Sequence, residues 1–199
     1  MADVLLLHHA HGLTEGMLAL AETLREAGHT VHAPDSYDGK TFTDLVDGLG
    51  YAEKVGFGAI AGRAVDAAEA LPASLVYVGF SLGVMPAQQL AQTREGARGA
   101  VLVGSCVGPT EFAPRWPEGV PVQIHGGERD EIFVEEGDLD AARELVASVG
   151  PSGEAELFLY DTDSHNFADG SLDEYDEAAA TLLTERVLAF LARLDGPAD

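Results

Sequence analysis

Apolar runs and amphipathic stretches alternate along this chain, and each pattern predicts a different element. Short apolar runs predict six strands, at residues 4–8, 30–33, 75–80, 100–103, 120–125 and 156–160. Stretches with apolar residues at helical spacing predict helices at residues 15–27, 58–71, 82–94, 138–149 and 172–194. Gly28, Pro72 and Gly150 lie at the ends of three of these helices, where stop signals are expected.

The alternation of strands and helices predicts a sheet with helices on both faces. The apolar runs are nearly continuous, as they are in strands that are covered on both sides. We therefore expect an α/β fold of six mostly parallel strands, in a single domain over residues 1–199 with a core at about residues 3–194. Right-handed crossovers bring the carboxyl ends of such strands to one edge, where ligands bind.

The charge of the chain excludes some classes of partner. With 34 acidic and 11 basic residues among 199, the net charge is −23. Nucleic acid and anionic membrane surfaces are therefore not expected partners, and no run of residues is long and apolar enough for a membrane span. The single cysteine, Cys106, fits a reducing compartment, so we expect a cytoplasmic protein. The oligomeric state stays open, and so does the choice between salt adaptation and genome composition as the cause of the acidity.

The segment around Ser81 has the pattern of a nucleophile elbow. An apolar run at residues 76–80 leads to a serine that lies between Gly79 and Gly83, and a helical pattern follows. In the G-x-S-x-G elbow, glycines permit a sharp turn between a strand and a helix, which exposes the serine hydroxyl. The sequence therefore predicts that Ser81 is a nucleophile.

Two further residues complete a possible catalytic triad. Asp130 follows the fifth predicted strand and His165 follows the sixth, so the order along the chain is Ser, Asp, His. That is the order found in α/β-hydrolases. In such a triad the imidazole removes the serine proton and the carboxylate orients the imidazole. Asp161 and Asp163 are the alternative acids.

An oxyanion hole is expected beside Ser81. One backbone N–H should come from the residue after the nucleophile, Leu82, and the other from the turn after the first strand, where we choose Ala10. That turn also contains His8, His9 and His11, which raises the alternative of a metal-dependent hydrolase. No further ligand cluster is apparent, so we predict no metal.

The substrate pocket is predicted from residues near these turns. We expect His9 and His11 to line it, although a polar rim without a catalytic role is an alternative. Trp116 and Phe167 are predicted to line it as well, with a core position as the alternative for Trp116. Cys106 is interpreted as a small buried hydrophobic residue.

Taken together, these motifs resemble the dienelactone hydrolase family from Val4 to about Phe190. The residues that carry the resemblance are His11-Gly12, Pro34-Asp35-Ser36-Tyr37, Gly79-Phe80-Ser81-Leu82-Gly83, Ile124-His125-Gly126-Gly127-Glu128-Arg129-Asp130 and His165-Asn166-Phe167. The resemblance implies an α/β-hydrolase fold without a large lid and a triad at Ser81, Asp130 and His165.

The chain departs from the dienelactone-cleaving members at three positions. Those members have a cysteine where Ser81 stands, a glutamate at the position that looks like His9, and a substrate-binding arginine where this chain has Asp169. A serine does not need the glutamate that activates a thiol, so the first two changes are consistent with each other. The loss of the cationic residue argues against an anionic dienelactone and favours neutral esters or thioesters.

The sequence thus predicts a serine hydrolase that cleaves a small ester through an acyl-enzyme and needs no cofactor. Its expected partner is a small-molecule ester or lactone. The alternatives are a thioesterase or lactonase that uses the same site, and a non-catalytic ligand-binding protein with an α/β-hydrolase-like fold.

Overall fold

A computed structural model of the protein describes residues 1–150 and 154–194, and within them six strands form one parallel sheet. Residues 195–199, which the predicted domain includes, lie outside the described part. The strands are β1 (Asp3–Leu7), β2 (Thr30–His32), β3 (Val76–Phe80), β4 (Gly99–Val103), β5 (Val122–Gly127) and β6 (Ala155–Tyr160). The helices are α1 (Glu15–Glu26), α2 (Leu45–Val55), α3 (Phe57–Glu69), α4 (Val84–Thr93), α5 (Glu131–Glu135), α6 (Asp138–Val149) and α7 (Glu177–Leu194).

The strand order is β2-β1-β3-β4-β5-β6, and every neighbouring pair is parallel. The predicted α/β class is confirmed, with all six strands parallel. Because successive side chains point to opposite faces, Leu5 and Leu7 pack with α3, α4 and α6, whereas Val4 and Leu6 pack with α1 and α7. The two apolar layers cover the faces of the sheet, and the loops that follow the strands lie at its carboxyl edge.

The sequence pattern missed α2 and α5. Gly48 and Gly50 lower the helix propensity of α2, although Asp44 caps it by accepting from the Val46 and Asp47 N–H groups. Tertiary packing requires Gly48, because a Cβ there would lie 2.1 Å from the Ala10 carbonyl oxygen. This close contact places α2 against the turn after β1.

The last helix is shorter than predicted. Residues 172–176 form turns, and α7 begins at Glu177 rather than at Leu172. The reason is the cap: the Asp176 carboxylate accepts the Ala178 and Ala179 N–H groups, both at 3.1 Å. Among the described residues, no helix combines the length and the apolar character that crossing a membrane requires.

Candidate active site

Three polar side chains from separate loops meet at the carboxyl edge of the sheet. Ser81 directly follows β3, Asp130 follows β5 and His165 follows β6. The Ser81 hydroxyl lies 2.8 Å from His165 Nε2, and His165 Nδ1 lies 2.7 Å from an Asp130 carboxylate oxygen. Since an ionised carboxylate can only accept, Nδ1 carries the proton, and Nε2 of the neutral ring accepts from Ser81.

The backbone of Ser81 has the conformation of a sharp turn. Its φ is +45°, and within the described ranges Asp38 is the only other residue besides glycine with a positive φ. Positive φ is unfavourable for a residue with a Cβ, and it occurs at nucleophile elbows. The following 3₁₀ turn, Ser81–Gly83, leads directly into α4.

The two glycines of the elbow are required by close packing. A Cβ on Gly79 would lie 2.5 Å from the Gly83 carbonyl oxygen and 2.7 Å from the Ala87 Cβ. A Cβ on Gly83 would lie 2.4 Å from the Leu7 carbonyl oxygen, at the end of β1. The elbow therefore packs directly against the end of β1, beside the turn that contains Ala10.

Both carboxylate oxygens of Asp130 accept hydrogen bonds. Asp130 is 1% exposed, and its second carboxylate oxygen accepts the Ile132 N–H at 3.0 Å as the cap of α5. Gly104, with φ +74°, borders the ring of His165, which lies at van der Waals distance, 3.4 Å, from where a Cβ would be. The alternative acids are exposed, and Asp161 pairs with Arg129 on the surface. Only Asp130, of the three candidates, contacts His165.

The turn after β1 lies beside the elbow. The His9 carbonyl oxygen accepts the Gly12 N–H at 3.0 Å and lies 2.8 Å from His8 Nδ1. Because the peptide bond is trans, the Ala10 N–H points to the opposite side from that carbonyl. The Ala10 N–H therefore points away from the Gly12 N–H and from His8 Nδ1, the two groups that contact the His9 carbonyl oxygen.

A buried His–Asp pair joins this turn to the loop that carries His165. His9 Nε2 donates to Asp169 at 2.8 Å, and His9 Nδ1 accepts the His11 N–H at 3.2 Å. Asp169 also accepts from Thr14 Oγ1, from the Ser171 N–H at 2.8 Å and from the Ser171 hydroxyl at 2.6 Å. Burial by itself raises the pKa of Asp169, but the hydrogen bonds from His9, Ser171 and Thr14 outweigh it and lower that pKa.

This buried pair makes a prediction about acid stability. Asp169→Asn is expected to lower the free energy of unfolding at pH 7 by about 3 kcal/mol, because it leaves buried donors without a charged acceptor. Since the folded-state pKa of Asp169 is lowered, its contribution is fully present above about pH 4, the unfolded value, and is lost as the pH falls through the folded value. Urea unfolding at pH 7 and at pH 2.5, well below the unfolded value, measures both.

The matched control is Asp173→Asn, which changes an exposed carboxylate in the same loop. We expect it to change the free energy of unfolding by less than about 0.5 kcal/mol at either pH. An equal loss for Asp169→Asn at both pH values would contradict the assignment of the carboxylate as the stabilising group.

A cleft of about 260 Å³ opens at Ser81 and His165. Its other walls come from the α2, α4, α5 and α6 regions and the loop after β4. They are Leu45, Leu49, Leu82, Met85, Gly104, Ser105, Ile132, Glu136 and Asp138. Two acidic residues, Glu136 and Asp138, thus face the cleft, and a negatively charged ligand would be repelled there.

The predicted pocket residues do not line this cleft. His9 and His11 are 1% and 0% exposed, and their rings bond to Asp169 and to the Phe42 carbonyl oxygen and Asn166. Phe167 lies in the core, and Trp116 is buried with its indole N–H donating to the Val120 carbonyl oxygen at 2.6 Å. Hydrogen bonding and core packing, which strand-end position does not indicate, turn these side chains inward. The predictions for all four are therefore corrected.

Apart from Leu82, sequence reasoning missed the residues that form the other walls of the cleft. Leu45 and Leu49 belong to α2, whose cap at Asp44 was the available signal. Asp169, which the sequence suggested as a replacement for a substrate-binding arginine, is buried on His9 and does not face the cleft. Glu136 and Asp138, rather than Asp169, therefore disfavour an anionic substrate.

The thiol of Cys106 and the ring of His8 are buried in the described part of the chain. Cys106 is buried, and burial raises the pKa of its thiol to about 12, so the reactive thiolate is not formed near neutral pH. His8 Nε2 accepts the Ser36 N–H at 3.1 Å. Across residues 1–150 and 154–194, no three His, Cys, Asp or Glu side chains are grouped to hold a metal ion.

A sharp strand-turn-helix segment at the carboxyl edge of a parallel sheet, with helices on both faces, is the arrangement of the α/β-hydrolase class. The model of the dienelactone hydrolase family matches residues 2–194 of this chain. The chain belongs to the dienelactone hydrolase family, as its motifs led us to expect.

Solved structures give the same fold. The chain is similar to a dienelactone hydrolase-like promiscuous phosphotriesterase from metagenomic libraries (20% identity, 98% of this chain and 87% of that chain, TM-score 0.76). It is also similar to a dienelactone hydrolase from Anabaena variabilis (18%, 97% and 86%, 0.63) and to a cold-adapted esterase from an Arctic intertidal metagenomic library (19%, 93% and 82%, 0.60). No match was found among curated proteins. The family and these neighbours support a hydrolase with a small-molecule substrate.

Proposed function

We propose that the protein is a serine hydrolase that cleaves small, neutral carboxylic esters. The observation that carries this proposal is the chain of contacts from the Ser81 hydroxyl to His165 Nε2, at 2.8 Å, and from His165 Nδ1 to Asp130, at 2.7 Å. A serine hydroxyl needs such a base to act as a nucleophile near neutral pH.

In the proposed reaction, Ser81 Oγ attacks the ester carbonyl carbon while His165 Nε2 takes the hydroxyl proton. The negative oxygen of the tetrahedral intermediate accepts the backbone N–H groups of Leu82 and Ala10, each worth about 3 kcal/mol in the transition state. The C–O bond to the alcohol then breaks, and the alcohol leaves with the proton from His165.

Water completes the cycle. It attacks the acyl-enzyme carbonyl carbon as His165 removes one of its protons, and that proton returns to Ser81 as the carboxylic acid departs. Asp130 stabilises the imidazolium that forms in both half-reactions. This chemistry needs no cofactor.

A neutral substrate fits the charges around the cleft. Glu136 and Asp138 line it, and the whole chain has a net charge of −23. An anionic ester would therefore approach against an unfavourable potential. A thioester or a lactone offers the same carbonyl to Ser81, so a panel of neutral esters, thioesters and lactones will rank these substrates.

Labelling with a fluorophosphonate tests whether Ser81 is an activated nucleophile. We expect the wild-type protein to gain one phosphonyl group, seen by intact-protein mass spectrometry, and Ser81→Ala to gain none. Only a serine activated by a base reacts readily with this probe. A folded wild-type protein that is not labelled would favour the alternative of a non-catalytic ligand-binding protein.

A further inference from the structure

A second cavity, of about 270 Å³, lies between α3 and the nucleophile elbow. Its walls are almost entirely apolar. From α3 they include Phe57, Ile60, Ala61 and Ala64, and from the elbow and α4 they include Leu82, Gly83, Met85 and Pro86. Phe57 and Met85 are exposed large hydrophobic residues at this cavity, so it is accessible from solvent. Nothing in the triad chemistry requires an apolar cavity at this place.

Both ring nitrogens of His8, a polar residue in the cavity wall, are bonded to backbone groups. His8 Nε2 accepts the Ser36 N–H at 3.1 Å, and His8 Nδ1 donates to the His9 carbonyl oxygen at 2.8 Å. Burial lowers the pKa of His8, so its ring is neutral near pH 7. The ring of His8 therefore offers the cavity neither a charge nor a free nitrogen, and the predominantly apolar wall suits a hydrocarbon group.

The cavity adjoins the cleft at Ser81 on the side of Leu82 and Met85. Leu82 and Met85 belong to the walls of both this cavity and the cleft at Ser81, so the two spaces share these side chains as their boundary. His165 lines the cleft but not the cavity. In ester hydrolysis the leaving alcohol must lie beside the imidazole that protonates it. The space on the Leu82 side is therefore left for the acyl group.

We propose that this cavity binds the aliphatic chain of the acyl group, which makes esters of straight-chain aliphatic acids the preferred substrates. The inference rests on the proposed hydrolase function and adds the substrate class. The ester carbonyl lies at Ser81, the acyl chain passes Leu82 and Met85, and its methylene groups are buried against α3.

The first measurement is the dependence of kcat/KM on acyl chain length. With p-nitrophenyl acetate, butyrate and hexanoate, we expect kcat/KM to rise about fourfold for each methylene that is buried, until the cavity is filled. With ethyl, butyl and hexyl acetate, which extend the alcohol instead, we expect a change of less than threefold across the series.

Two matched variants show whether the cavity causes the effect. Ala61 lines the cavity, whereas Ala59 lies on the same helix, is exposed and does not line it. Ala61→Phe should reduce the ratio of kcat/KM for the hexanoate ester to that for the acetate ester to about one. Ala59→Phe should leave the whole series unchanged. Circular dichroism and fluorophosphonate labelling of each variant check that its fold and triad are intact.

Gly58→Leu provides a second variant if Ala61→Phe does not fold. Gly58 lines the cavity, and a Cβ there would meet no atom within 4 Å, so a larger side chain has room. It should also lower the hexanoate preference selectively.

The possible failures are distinguishable. Labelling at Ser81 together with a flat acyl series, or with the same acyl series in all variants, would overturn the acyl-chain assignment and leave the hydrolase proposal standing. If kcat/KM rose steeply with the length of the alcohol and Ala61→Phe abolished that rise, the cavity would be assigned to the alcohol instead. No labelling and no hydrolysis of any ester would overturn the proposed function, and the acyl assignment with it.

Discussion

Ser81→Ala is expected to lower kcat for a p-nitrophenyl ester by about 10⁶-fold, which brings it close to the level that substrate binding and the oxyanion hole can sustain without a nucleophile. The physical reason is that the variant removes the only hydroxyl that His165 contacts through Nε2 in the described structure. Steady-state hydrolysis with the purified variant, after a check by circular dichroism that its fold is unchanged, measures the effect.

Ser105→Ala is the matched control for this substitution. Ser105 lines the same cleft, but its hydroxyl donates to Asp138 rather than to His165. We expect a loss of less than tenfold, because the proton path from Ser81 stays complete. If the two alanine variants lost activity equally, the nucleophile would have been assigned to the wrong serine.

The second large effect is expected from Asp130→Asn, which should lower kcat by about 10⁴-fold. An asparagine amide that donates to His165 Nδ1 would favour the tautomer with its proton on Nε2, and that nitrogen could no longer accept the Ser81 proton. The measurement is kcat as a function of pH, with circular dichroism to exclude unfolding, since Asp130 also caps α5.

Two surface acids give the comparison for Asp130. Asp161→Asn and Asp163→Asn change exposed carboxylates near the same loop, and we expect each to keep kcat within threefold of wild type. A loss of similar size in either of them would place the orienting carboxylate there instead of at Asp130.

The fold was predictable because its signals are local. Apolar runs of strand length recur between amphipathic helices, and buried parallel strands need such runs. Helix α2 escaped prediction because Gly48 and Gly50 weaken its propensity. Gly48 is there for a reason that the local sequence does not contain, since the Ala10 carbonyl oxygen occupies the place of a side chain.

The three polar residues of the candidate triad were also predictable, since each follows a strand and the order Ser, Asp, His fits the class. The pocket was not. His9 and Phe167 stand beside the right strand ends, yet one is bonded to Asp169 and the other is packed in the core. A position directly after a strand places a residue at the edge of the sheet. It does not determine whether the side chain points toward the cleft or into the core.

The amino-acid sequence by itself determined the alternation of strands and helices, the elbow at Ser81 and the chemical types available at the carboxyl edge, because these depend on near neighbours in the chain. Only the tertiary structure decided that Asp130 rather than Asp161 contacts His165, that His9 pairs with Asp169, and that an apolar cavity adjoins Leu82. Those outcomes depend on the packing of segments that are distant in sequence, where distances of a few ångströms decide which polar groups are satisfied.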